Sequence, residues 1–167
     1  RFLHSLGRYP WAIGNRRPSP NALWEIRSPG GACRRLYSLR STRRMMSRTK
    51  LGLGGSVGTP FGGIVAGVEV VRNEEELEQL GKGAKGKIIL FNNPMPPYDP
   101  KKGAGYGRTV RFRVNGARLA SAQGAVAVLV RSVTAHSLRT PHTGGMNYGN
   151  AKKKIPAAAI TTEDADI

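Results

Sequence analysis

A single cysteine, Cys33, among 167 residues leaves no partner for an internal disulfide and no set of thiolates for a zinc site. No apolar run approaches the roughly 20 residues that a bilayer-spanning helix requires. Acids are scarce: 10 Asp and Glu stand against 27 Lys and Arg, a formal net charge of +17. No Asn-x-Ser/Thr acceptor for glycosylation occurs. Long uninterrupted elements are also disfavoured, because 22 Gly and 11 Pro break the chain; this argues against a coiled coil or an all-helical bundle.

The charge divides the chain. Residues 1–50 hold 12 basic residues and one acid, Glu25, whereas residues 51–167 hold 15 basic and 9 acidic residues. The first stretch carries Arg pairs (Arg16-Arg17, Arg34-Arg35, Arg43-Arg44), prolines at 10, 18, 20 and 29, and scattered Trp11 and Trp24, with neither helical nor alternating period. It is expected to be a disordered basic arm. Several readings stay open for it: a nucleic-acid arm gaining affinity by counterion release, a mitochondrial presequence interrupted by its prolines, or a segment without a task. Met45 or Met46 is a candidate internal start. A secretory signal is not visible, since no apolar core of 7–15 residues is present.

From Leu51 the pattern changes to apolar runs of strand length separated by turn residues. Gly63–Val71 is rich in β-branched residues and is expected to be a strand. Asn73 followed by Glu74-Glu75-Glu76 gives a capping-box-like helix start, with Gly81 as its stop. Lys87–Phe91 reads as a short buried strand, and Asn92–Gly107 as a loop broken by prolines and glycines. Val110–Gln123 is expected to be a helix. Ala125–Val130 is continuously apolar and predicts a central strand buried on both faces. Ser132–Lys154 reads as a polar loop, Ile155–Ile160 as a strand, and Thr161 or Thr162 as the cap of a helix opening on Glu163 and Asp164. A chain that opens on Arg1 and closes in the first turn of a helix has the form expected of a fragment.

Little of this carries chemistry. Gly81-Lys82-Gly83-Ala84-Lys85-Gly86-Lys87 approaches a P-loop, but Ile88 stands where Ser or Thr is needed, and the segment precedes a strand; a lysine-rich surface turn is expected. Gly52–Gly58 has Val57 where a dinucleotide fingerprint needs its third glycine; a flexible lead-in is expected. His136 and His142 lack both helical ligand spacing and a neighbouring carboxylate, which argues against zinc. Cys33 has no His or Asn partner pattern for a nucleophile. Lys152-Lys153-Lys154 reads as a solvated loop, with phosphate or acidic-partner binding as the alternative.

Several blocks nevertheless carry a resemblance. Leu51-Gly-Leu-Gly-Gly-Ser-Val-Gly-Thr-Pro60, Glu74–Glu78 and Gly86–Asn92 are followed in order by Thr109–Arg113, Gly116–Arg118 and Gly124–Val133. Ser137–Gly144 and Lys154–Ala165 complete the series. Together, across 51–167, they resemble the protease-associated domain of the carboxypeptidase Q (plasma glutamate carboxypeptidase) family of zinc exopeptidases. The Arg-Ser-Val, Pro-His-Thr-Gly and Glu-Asp-Ala blocks are the more specific; Gly-Lys-Ile-Ile-Leu is shared by protease-associated domains generally. The loop Tyr98–Tyr106 is longer than the family's, Ala159 replaces a frequent Cys, and residues 1–50 have no counterpart.

The resemblance implies an α/β (α+β-like) fold, a mixed β-sheet with flanking helices. It implies a secreted or lysosomal parent that removes amino acids from short peptides with a dinuclear zinc site and a carboxylate base, the metals lowering the pKa of bound water. The family's His-Leu-Asp and Glu-Glu ligand motifs are absent from this sequence, so no catalytic, cofactor-binding or metal residue is expected here, and zinc belongs to the parent's catalytic domain. The stretch is then a non-catalytic piece that shapes access to the active site, with Tyr106 and His142 as cleft-facing loop residues. Its partners are the rest of the same polypeptide, peptide substrates through the parent, and a second copy as a candidate; a membrane span and nucleic acid are not expected. The alternatives are a free-standing protease-associated binding module and, less so, a nucleic-acid-binding arm.

Overall fold

The computed structural model describes residues 23–27, 38–41, 44–48, 50–136 and 139–166, the last two ranges with their side chains. Apolar runs bounded by glycine become the centre of one sheet. Its strands are β1 (Leu23–Arg27), β2 (Ser38–Ser41), β3 (Arg44–Arg48), β4 (Lys50–Gly52), β5 (Ile64–Val71), β6 (Ile88–Phe91), β7 (Ala127–Arg131) and β8 (Ala157–Ile160). The spatial order is β3-β2-β1-β5-β6-β7-β8-β4. β5 to β8 run parallel to one another, and β4 closes one side antiparallel to β8. Helices α1 (Glu74–Leu80) and α2 (Tyr106–Ala122) make the first two crossovers, and α3 (Thr162–Ala165) follows β8.

Strands β6, β7 and β8 are buried on both faces, which is why their sequences read as apolar runs. Ile89, Phe91, Val128, Val130, Ala157 and Ala159 point to the side of α1 and α2. Ile88, Leu90, Ala127, Leu129, Ala158 and Ile160 point to the other side, joined there by Ala165. Small residues on β8 let the neighbouring layers approach closely. Phe91 stacks on Phe112 of α2 with ring centroids 5.3 Å apart, fixing the helix over the sheet; burying each ring contributes about 1.5–3 kcal/mol.

The expected caps are present. Asn73 Oδ1 accepts from the Glu76 amide at 2.8 Å, and Glu76 reaches back to the Arg72 amide at 2.8 Å. Gly81 ends α1 at φ 46° and opens a 3₁₀ turn over Gly81–Ala84, so the lysine-rich segment is a turn leading into β6. Thr161 caps α3 by accepting from the Asp164 amide at 3.0 Å.

Three expectations need correction. Disorder over 1–50 does not hold at 23–27, 38–41 and 44–48: β1 pairs antiparallel with the outer edge of β5 (Trp24↔Ala66, Ile26↔Ile64), and β2 and β3 extend the sheet. The free edge of β5 supplies backbone partners that no side-chain pattern announces. The glycine-rich lead-in is not flexible: Lys50, Leu51 and Gly52 pair with Ile160, Ala159 and Ala158, and the Leu53 amide donates to Ala157 at 3.0 Å. Helix α2 begins at Tyr106, four residues before the expected Val110. Its N-cap is Gly105 in the left-handed region at φ 64°, so no hydrogen-bonding side chain marks the start. Tyr106 is therefore a helix residue rather than a loop residue.

Candidate functional site

The loop after β6 is built to deliver Tyr106. Asp99 Oδ1 accepts from the amides of Lys101 and Lys102 at 2.8 and 3.2 Å, a local turn that doubles the chain back. A Cβ at Gly105 would stand 2.5 Å from Cγ of Pro96, so only glycine both clears the proline and takes the positive φ. The result is an open cleft of about 680 Å³ lined by Lys102, Ala104, Gly105, Tyr106, Gly107 and Arg108.

The loop after β7 delivers His142. Ser132 Oγ donates to the Ile160 carbonyl at 2.7 Å and accepts from the His142 amide at 2.8 Å. The His142 Nδ1 lies 2.7 Å from the Val133 carbonyl. A carbonyl only accepts, so Nδ1 carries a hydrogen in this contact. Further along, Thr143 Oγ1 donates to the Gly52 carbonyl at 3.0 Å, and the Asn147 amide donates to the Val114 carbonyl at 2.9 Å. The polar loop is thus tied to β4 and to α2.

These two supports bring the sequence-chosen pair together. The Tyr106 and His142 rings lie 6.5 Å apart at 39°. A third residue, overlooked in the sequence, joins them: Arg113 donates from Nη2 to the Tyr106 hydroxyl at 2.9 Å, and its guanidinium sits 5.8 Å from that ring's centre. Gly144 makes room for it, since a Cβ there would stand 2.7 Å from Arg113 Cζ. Nε and Nη1 of Arg113 are buried without a hydrogen-bond partner. The signal for Arg113 was its seven-residue spacing from Tyr106, two helical turns, which is visible only once the helix is known to start at 106.

The cluster offers an aromatic face, a cation and an imidazole anchored through Nδ1 on a backbone carbonyl. Among the described residues, no carboxylate hydrogen-bonds to Tyr106, Arg113 or His142, and no group of three His, Cys, Asp or Glu side chains is placed to hold a metal ion. Such an arrangement can bind and orient a polar group. His136 is exposed, its backbone amide donating to Thr134 Oγ1 at 3.2 Å. Cys33 lies outside the described residues. No helix among the described residues is long and apolar enough to cross a membrane.

No family model matches the chain. Over 124 residues, 74% of this chain, it is 49% identical to carboxypeptidase Q of Xenopus laevis. The chain is homologous to a segment of carboxypeptidase Q. Its identity to the Mus musculus and Homo sapiens carboxypeptidases Q is 47% and 44% over 117 residues, 70% of this chain. The chain spans only about a quarter of the length of these relatives: 25% of the Xenopus protein and 23% of the other two. The carboxypeptidase Q-like fold also superposes on the crystal structure of a peptidase M28 precursor from Shewanella amazonensis. The TM-score is 0.68 at 30% identity, covering 87% of this chain and 29% of that one. The mixed α/β sheet with flanking helices is therefore shared with a part of a peptidase.

Proposed function

We propose that residues 51–167 form the non-catalytic protease-associated part of a zinc-dependent carboxypeptidase acting on short peptides, and that this part narrows access to the active site. The observation that carries the reading is the 49% identity to carboxypeptidase Q over 124 residues. The convergence of Tyr106, Arg113 and His142 on one surface supports a role in orienting peptide, with Tyr106 and His142 facing the cleft. Among the described residues the donor set does not fit zinc: His142 offers one nitrogen and no carboxylate or thiolate joins it. The reading therefore assigns the metal ligands and the general base to polypeptide outside this segment. It carries with it a secretory or lysosomal route, and the remaining polypeptide and a second copy as partners.

The test is the coding sequence 3′ of the Ile167 codon. A block with a His-x-Asp ligand pair, in frame, is the expected result. A stop codon shortly after that position would replace the proposal with a free-standing binding module.

A further inference from the structure

Between Pro100 and Thr162 the chain holds eleven Lys and Arg and no Asp or Glu. The fold arranges much of this charge along one line. Helix α2 exposes Gly107, Arg108, Arg111, Arg118 and Ala122, with Asn115 half-buried among them. Steps of three and four residues keep these positions on one helix face. At the N-terminal end, Lys102 borders the same cleft as Arg108, and Lys101 precedes it. At the C-terminal end, Ser121 Oγ donates to the Lys153 carbonyl at 2.5 Å, holding the exposed Lys152, Lys153 and Lys154 against the last turn. Arg118 lies over Gly149, where a Cβ would meet its Cδ at 3.2 Å. The 17 residues of α2 extend about 25 Å, so the cations form a row rather than a spot.

One carboxylate among the described residues reaches this row. Glu74 pairs with Arg111 at 2.6 Å, the two side chains being 32% and 53% exposed, a pair open to exchange. Arg108, Arg118, Lys152 and Lys153 make no ion pair among the described residues.

We propose that the outer face of α2, flanked by Lys101-Lys102 and Lys152–Lys154, binds a linear sulfated polysaccharide. A row of cations without intervening acids matches a polymer with regularly spaced anions, and binding gains from releasing that polymer's counterions. Arginine forks fit the tetrahedral oxyanion of a sulfate as they fit phosphate, while lysines act as point charges. Single-stranded nucleic acid would call for a series of aromatic platforms, whereas the cleft shared by Lys102 and Arg108 has one, Tyr106, 38% exposed. Tyr106 is engaged with Arg113 and His142, and Tyr148 is buried with Lys154 over its ring. The inference is independent of the peptidase reading.

The whole chain is tested against a heparin-derived octasaccharide. Residues 1–50 carry their own charge, so two variants with equal charge removed are compared. The triple change Arg108→Gln, Arg118→Gln, Lys153→Gln should weaken binding by about tenfold at 0.15 M salt and flatten the log-affinity against log-salt slope by about 2. The triple change Arg72→Gln, Lys82→Gln, Arg139→Gln should leave binding within about twofold. Lysine acetylation footprinting reads the face directly: the octasaccharide should shield Lys152 and Lys153 and leave Lys82 reactive. Equal losses in the two triples, or equal shielding of Lys82, would show attraction to net charge alone and overturn the proposal. Displacement of the octasaccharide by duplex DNA at equal charge concentration would overturn it too, giving the face to nucleic acid.

Discussion

Gly116 of α2 lies against the edge of the Phe91 ring: a Cβ at 116 would stand 2.9 Å from Cε2 and 3.0 Å from Cδ2. Phe91 is fully buried and stacked on Phe112, so the ring has no room to retreat. In an isolated helix Gly→Ala gains up to about 1 kcal/mol. Here the overpacking cost of about 1–3 kcal/mol opposes that gain and exceeds it. Gly116→Ala should lower the denaturation midpoint, and Gly116→Val should lower it further. Urea unfolding followed by circular dichroism reads both; an Ala variant as stable as the parent would show that the helix and ring separate freely.

Tyr148 acts as a buried bridge. Its hydroxyl accepts from the Val57 amide at 3.0 Å and donates to the Ile155 carbonyl at 2.6 Å, holding the segment after β4 against the approach to β8. Tyr148→Phe leaves both groups without that partner and should cost about 1–3 kcal/mol. Hydrogen exchange at the Val57 amide should accelerate in the variant more than exchange at Leu129 in the sheet centre.

Arg131 and Asp166 are unequal partners in one ion pair, with side chains 11% and 61% exposed. Arg131 also donates to Asn92 Oδ1 at 3.1 Å, while Asn92 Nδ2 donates to the Ala165 carbonyl at 2.8 Å. Losing the exposed carboxylate should cost little, within about 1 kcal/mol for Asp166→Asn. Losing the guanidinium removes the centre of the network, so Arg131→Ala should cost clearly more and free α3 from the ends of β6 and β7. Equal costs in thermal unfolding would show that the network does not hold the helix.

For the longer polypeptide of the proposed function, His142→Ala and Tyr106→Phe should raise KM for dipeptides several-fold and leave kcat within about twofold, because the cluster binds without reacting. A collapse of kcat at unchanged KM would instead give His142 a part in the chemical step.

Much of the architecture was legible in residue order because local rules and burial agreed. Ile88–Phe91 and Ala127 to Val130 are apolar without alternation since both of their faces are covered. Asn73, Gly81 and Thr161 mark helix ends by their own hydrogen-bonding and conformational preferences. The start of α2 was hidden because Gly105 caps it with backbone geometry alone, and the error at that point concealed Arg113.

Apolar periodicity and turn chemistry were enough to fix the alternation of strands and helices from Ile64 to Ala165, since each element needs only its own residues to declare its period. They could not say that Lys50–Gly52 would join β8, or that β1 would cover the edge of β5, because strand partners are chosen across the chain by whichever backbone edge is left open. Nor could they place Tyr106, Arg113 and His142 on one surface: that meeting depends on hydrogen bonds to Ser132, Val133 and Gly52, which stand at the ends of two different strands, β7 and β4, brought together by the closing of the sheet.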